Sequence, residues 1–496
     1  MHRHRLLAVF ALSLLLAGAT PARDLDPLVA YARLLSLVRF FHPSDAVAKA
    51  NWNQVAVVGV NAVEGAEDPA SLARALETFF KPLAPTLRVV PNGARWEMPP
   101  ELRERPAGTA GYHLSTERGD VCRRGGCARI VSDPIAVPRF VRPSEVLQAD
   151  LGAGVTAYLP VSLYADTQTP PAVLPALPAI TVSGDTREAR LASVALAWGI
   201  LQHFHPEGQP DDPRPAFAAA RGDREGFVRA VRRMLVPLND SRAGFTRKDE
   251  PLAALPLAWE WIEGQLTITG GAYTGDVVLS VGGRPAEEAV REEEALVSAA
   301  TPEARRWWTL ERLLYGPPGS RVTLQLKQAG EVGLARDTPY ERLPAGTPLP
   351  PVAEPRPGIV YVDLGRIEET DFEALLPRLA AARGVVFDLR RGSNVSNEVL
   401  SHVTERTVSS SKWQVPVVMK PDHSDVEWLT TFWTIPPLEP RIRRAAFLID
   451  GRSDGFSETL PGMIEEHRLG EVVGARSGGS NAAGRDEIVE KAIESL

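Results

Sequence analysis

The stretch Ala445-Ala-Phe-Leu-Ile-Asp450, followed by Gly451-Arg-Ser-Asp-Gly-Phe-Ser-Glu-Thr-Leu460, decides how this chain is read. The first part is a short apolar run of the kind buried in a parallel sheet. The second part is a turn, and a helix with Glu458 in its first turn follows over 458–467. A serine on a sharp strand-to-helix turn can serve as a nucleophile. Two serines compete for that place, Ser453 and Ser457, with Gly455 midway between them.

Working outward, the same strand character recurs upstream. Gly358-Ile-Val-Tyr-Val-Asp-Leu364 and Gly384-Val-Val-Phe-Asp-Leu-Arg390 read as strands, with a helix over 372–382 between them. Strands alternating with helices predict an α/β core over 358–496. Ahead of it lies a Pro-rich linker, 336–357. The segment 251–335 contains Thr274-Gly-Asp-Val-Val-Leu-Ser-Val-Gly-Gly283, then a helix, then a turn and a final strand. It looks like a PDZ domain, which holds an extended chain end by β-augmentation. Gly275, Asp276 and Val277 are its candidate peptide-binding residues.

The N-terminal half carries a weak repeat. Leu35-Ser-Leu-Val-Arg-Phe-Phe-His-Pro43 resembles Trp198-Gly-Ile-Leu-Gln-His-Phe-His-Pro206, and each opens a helical segment, 23–85 and 181–250. His42, His203 and His205 at these helix ends read as caps or packed residues rather than ligands. Between the repeats, 86–180 shows short apolar runs broken by Gly and Pro, which predicts a β-rich domain. That domain could bind a partner by itself, but it presents no aromatic platform.

Composition bounds the function. The chain has 496 residues, 44% hydrophobic and 24% charged, as expected of a multidomain globular protein. A net charge of −7 without a basic stripe argues against a nucleic-acid partner. Residues 1–22 show a basic start, the apolar run Leu6–Gly18 and small residues at Ala17-Gly-Ala19, a secretory signal pattern. The expectation is an exported protein, periplasmic or secreted, with no membrane anchor after cleavage. Cys122 and Cys127 in Cys-Arg-Arg-Gly-Gly-Cys read as a small disulfide closing a turn. Two cysteines without nearby partners make no metal site, and no cofactor is implied.

The order of residues excludes an α/β-hydrolase, although Gly451-Arg-Ser-Asp-Gly455 fits its G-x-S-x-G pattern. After Ser453 the only histidine is His467, inside the following helix. What fits is the whole series: the PDZ-like segment, the two strands, the serine turn, and Leu469-Gly-Glu-Val-Val-Gly-Ala-Arg-Ser-Gly-Gly-Ser-Asn481. Over roughly 187–481 it resembles the tail-specific, or C-terminal-processing, serine peptidases and their tricorn-core relatives. The resemblance implies a multidomain α+β protein with a truncated, crotonase-like α/β peptidase core, acting on unfolded or C-terminal peptide segments by acyl transfer. In that family a serine three residues before a glutamate attacks the peptide. A lysine in a later loop, or a histidine in tricorn-like members, serves as base, and glycines after an Asp-Leu-Arg strand form the oxyanion hole.

Carried over residue by residue, the pattern departs in four places. The family glutamate falls on Glu458, and three residues before it stands Gly455, not serine. The lysine position falls on or near Ser480, and the tricorn-type histidine falls on Arg242. In the oxyanion loop, Arg391-Gly-Ser-Asn-Val-Ser-Asn397, one family glycine falls near Val395, which leaves Asn394 and Val395 as the oxyanion candidates. The closing segment 483–496 follows the 477–481 loop almost at once, which implies an internal deletion near 481. These departures predict a peptidase scaffold impaired in catalysis that still binds peptide. The alternatives are an active endopeptidase using Ser457 or Ser453, and a binding or scaffold protein without enzymatic function. Residues two apart in an extended turn lie on one face but about 6–7 Å apart. A substituting serine must therefore have its turn rebuilt to reach the attack distance of about 3–3.5 Å.

Overall fold

The computed structural model describes residues 23–99, 112–114, 117–118, 145–164, 186–204, 212–241, 243–245, 251–339, 349–390, 392–418, 420–424, 426–453 and 455–479. The signal pattern in 1–22, the Cys122–Cys127 pair, His205, Arg242 and Ser480 lie outside them. The chain divides into two compact units, Met1–Met234 with Gln414–Thr430, and Leu235–Trp413 with Thr431–Leu496. Helices and several separate sheets are mixed throughout. Among the described residues, no helix is long and apolar enough to cross a membrane.

In the first unit, helix α1 (Asp26–Phe41) is apolar around most of its circumference and is almost wholly buried, from Leu28 to Phe41. A helix with no polar face must be wrapped by others. Here α2 (Trp52–Val63), α3 (Pro69–Phe80) and α4 (Arg187–Phe204) surround it. The repeat has a structural counterpart. Ser36 on α1 and Gly199 on α4 are equivalent positions, and they meet so closely that a Cβ on Gly199 would lie 2.7 Å from that of Ser36. His203 Nε2 reaches Ser36 Oγ at 3.1 Å, and His42 Nε2 reaches Thr86 Oγ1 at 2.9 Å. Both histidines are buried, and desolvation lowers each pKa to about 3, aided at His203 by His423. Strands β1 (Arg88–Pro91), β2 (Val146–Gly152) and β3 (Val155–Pro160) form an antiparallel sheet in the order β1-β3-β2. Helices α5 (Arg214–Arg221) and α6 (Arg224–Leu235) close the helical part.

In the second unit, β4 (Leu257–Ile262) and β5 (Gln265–Gly271) form a hairpin. It is followed by β6 (Val278–Val281), α7 (Ala286–Glu294), α8 (Pro302–Leu314), β7 (Arg321–Leu326) and β8 (Gly330–Ala335). Their inward residues, among them Trp259, Ile268, Val278, Leu310 and Leu324, make one core. Trp259 joins it without a stranded polar atom, because its Nε1 donates to Leu310 O at 2.8 Å.

The remaining sheet has the order β9 (Val352–Arg356), β10 (Ile359–Asp363), β11 (Gly384–Asp388), β12 (Ala445–Ile449), β13 (Glu471–Gly474). Strands β10 to β13 are parallel, and β9 joins antiparallel to β10. Helix α9 (Glu369–Ala381) connects β10 to β11, and α10 (Phe456–His467) connects β12 to β13. Phe387 and Phe447 are register partners and stack with centroids 5.3 Å apart at the centre of this core. Val352–Arg356, read from the sequence as linker, is thus an edge strand. Pro355 is tolerated there because its register breaks between Ala353 and Arg356, where no ladder N–H is needed.

Candidate active site at the strand-to-helix elbow

The carboxyl ends of parallel strands are where open α/β sheets build their sites. Here two strands end in an aspartate and a third is followed at once by one, and each ties down its own following loop. Asp363 accepts from Gly365 N and from Arg366 Nε at 2.5 Å. Asp388 accepts from Arg390 N, and both Arg390 Nε and Nη2 reach its carboxylate, the latter at 2.6 Å. Asp450 is held in the same way by Arg452, with Nη2 at 2.6 Å. Asp388 is 1% exposed and also accepts from Tyr361 Oη at 2.6 Å. Burial alone would raise its pKa, but Arg390 and Tyr361 hold it below the ordinary carboxylate value. Tyr361 in turn is pushed up to about 12, by burial first and by Asp388 second. Sequence reasoning passed over these clamps. Their signal was present as Asp363-Leu-Gly-Arg366, Asp388-Leu-Arg390 and Asp450-Gly-Arg452.

The elbow itself runs from Asp450 to the first turn of α10. Gly455 is the N-cap, with φ 56° and ψ −116° and no side-chain cap bond. That combination lies outside the left-handed helical well and favours glycine strongly. It is a sharp, strained strand-to-helix turn, and the residue seated there has no side chain.

The two flanking serines differ. Ser453 is fully buried. Its Oγ donates to Leu389 O at 3.0 Å and accepts from Asp450 N at 3.2 Å. This hydroxyl pins the end of β11 to the turn after β12. Ser457 is 2% exposed, and its hydroxyl makes no hydrogen bond to a described residue. It does not cap α10. Its Oγ lies 3.7 Å from the point where a Cβ on Gly392 would be, against the loop after β11. Among the described residues, no histidine or lysine is hydrogen-bonded to either serine. His467 lies ten residues beyond Ser457 on the same helix, about 15 Å away. Its Nε2 pairs with Ser409 O at 2.8 Å.

Glu458 sits in the first turn of α10, and its carboxylate accepts from Gly479 N. Asn394 donates its N–H to Leu364 O at 2.8 Å and its side-chain amide to Gly365 O at 3.2 Å. Both groups are committed to the loop after β10. Val395 is buried in the core beneath the same loop, with its C=O accepting from Ser393 Oγ at 2.7 Å. The structure therefore brings Ser453, Gly455, Ser457, Glu458 and the Gly392 loop together.

Gly275, Asp276 and Val277 form a separate corner between β5 and β6. Gly275 is exposed, and its N–H donates to Ile268 O at 2.8 Å. Asp276 is buried, and its carboxylate accepts from the N–H groups of Val277, Gln328 and Ala329 at 2.8–2.9 Å. Burial would raise this carboxyl, and those N–H groups outweigh it to hold the pKa low. Val277 spends its N–H on Asp276 and its C=O on Lys327 N. Asp276 and Val277 thus fasten β5 and β6 to the β7–β8 turn.

No family model matches the chain, and no curated protein matches it in sequence. Solved structures similar to it include proteases of the tail-specific type and their relatives. One is mature CPAF, at 14% identity and a TM-score of 0.44, over 59% of this chain and 84% of that one. Another is the photosystem II D1 C-terminal processing protease, at 16% identity and a TM-score of 0.26, over 52% and 72%. A third is the tricorn protease, at 12% identity and a TM-score of 0.21, over 59% and 30%.

Proposed function

We propose that this chain has the scaffold of a tail-specific serine peptidase, that it binds polypeptide, and that it does not cut it. One observation carries the reading: the elbow position suited to a nucleophile is Gly455, and among the described residues no histidine or lysine is hydrogen-bonded to either flanking serine. Loss of the nucleophile of a serine peptidase costs on the order of a millionfold in rate. Ser453 cannot substitute without giving up two buried hydrogen bonds, and among the described residues none is hydrogen-bonded to the Ser457 hydroxyl to take its proton.

In this reading residues 251–335 are a PDZ-like module that receives unfolded or C-terminal segments along a sheet edge, and 358–496 are a crotonase-like core. Its domains follow the boundaries set out from the sequence. The N-terminal signal pattern and the Cys122–Cys127 spacing support action outside the cytoplasm, in a periplasm or in the medium. Incubation of the mature chain with a reduced, carboxymethylated protein tests the reading. It predicts a complex that survives gel filtration and no fragments above buffer. Fragments that disappear in Ser457→Ala would replace it with a working peptidase.

A further inference from the structure

The segment after β13, Ala475–Gly479, is sewn into the second unit by its main chain. Ala475 N donates to Ile449 O at 3.1 Å. Ser477 O accepts from Thr301 Oγ1 at 2.8 Å. Gly478 N donates to Ser453 O at 2.8 Å, and Gly478 O accepts from Ser241 Oγ. Gly479 N donates to the Glu458 carboxylate. Four successive main-chain groups, from Ser477 C=O to Gly479 N–H, are therefore all paired. Their partners alternate between the Ser241/Thr301 wall and the elbow. This is the way an extended peptide is held in a binding groove, by main-chain bonds independent of its side chains. Gly479 has φ 70°, and a Cβ there would lie 2.7 Å from Ala300 Cβ and 3.1 Å from Thr301 Cγ2. Ser241 is itself fixed, because its Oγ accepts from Ala300 N at 3.1 Å. Beneath the segment, Ser453, Gly455 and Ser457 are buried.

We infer that Ala475–Gly479 is a built-in strap that occupies the peptide path at the elbow, so that incoming polypeptide must displace it. The inference rests on the polypeptide-binding reading above and adds a self-occupied state to it. Binding at the elbow is then weakened by the fraction of molecules whose strap is closed.

The test uses the full mature chain and Gly479→Ala, which pushes the strap off its wall without altering any hydrogen-bonding side chain. Arg476 is exposed, so trypsin can report whether the Arg476–Ser477 bond is free. The strap predicts cutting there at least about tenfold faster in the variant, since cleavage follows the open population. It also predicts that a fluorescein-labelled Val-Val-Gly-Ala-Arg-Ser-Gly-Gly peptide, the sequence of 472–479, binds the variant and not the wild type. Ser241→Ala loosens the clamp from the wall side, and it decides the matter alone if Gly479→Ala does not fold. Equal cutting rates, or equal peptide binding by wild type and variant, would overturn the strap. Wild type that holds carboxymethylated protein tightly, yet is cut at Arg476 as fast as the free peptide, overturns the strap and keeps the binding reading. A strap-open variant that fragments the protein substrate does the reverse.

Discussion

Ser453 and Ser457 are almost equally buried, two residues on either side of Gly455, and their surroundings set them opposite expectations. Ser453→Ala leaves Asp450 N without its acceptor in a closed site, and Leu389 O keeps only Gly392 N as donor. The expected loss is about 1–3 kcal/mol. Ser457→Ala removes a hydroxyl that has no described partner, and its expected change is within about 0.5 kcal/mol. Urea unfolding of the two variants side by side checks this, and a larger loss for Ser457→Ala would mean that its hydroxyl carries a bond the account lacks. At this scale the strand-to-helix turn with Glu458 in the first turn of α10 was legible, because an apolar strand, a glycine and an acidic first turn are local signals. It could not rank the serines. What separates them is Leu389, more than sixty residues away in sequence.

Element by element, the parallel strands of the core were legible from near-continuous apolar runs, and the βαβ units followed from the helices between them. The edge strand Val352–Arg356 was not, because Pro351 and Pro355 mask its pattern and its pairing is supplied by β10. The Asp–Arg clamps at the strand ends matter more to the site than any one loop residue, since they set the loops that flank the elbow. Arg390→Met should leave Asp388 buried with only Tyr361 and a backbone N–H beside it, at a cost of about 3–5 kcal/mol. Adding Asp388→Leu should return much of that loss, because the stranded charge is gone. Thermal denaturation of the single and double variants measures both, and a double variant as weak as Arg390→Met would show that the loop fails for some other reason.

For the whole molecule, the −7 charge and the repeat were visible from the start, and the reason for the repeat was not. Its two helices pack on each other through equivalent positions, and buried histidines at their ends carry an acid sensitivity. His42 and His203 have folded pKa values near 3 against an ordinary 6.5. The unfolded chain therefore binds more protons between those limits. The stabilising difference is complete above pH 6.5 and is lost as pH falls towards 3. Melting temperature should drop across that window, and His42→Gln should flatten the slope; an unchanged slope would place the titration elsewhere. The central claim is that the elbow holds no working nucleophile. Its most direct test is a serine-directed fluorophosphonate applied to the folded mature chain, with intact mass read after an hour. The account predicts no adduct on wild type or on Ser457→Ala. A stoichiometric adduct on wild type that vanishes in Ser457→Ala would contradict it.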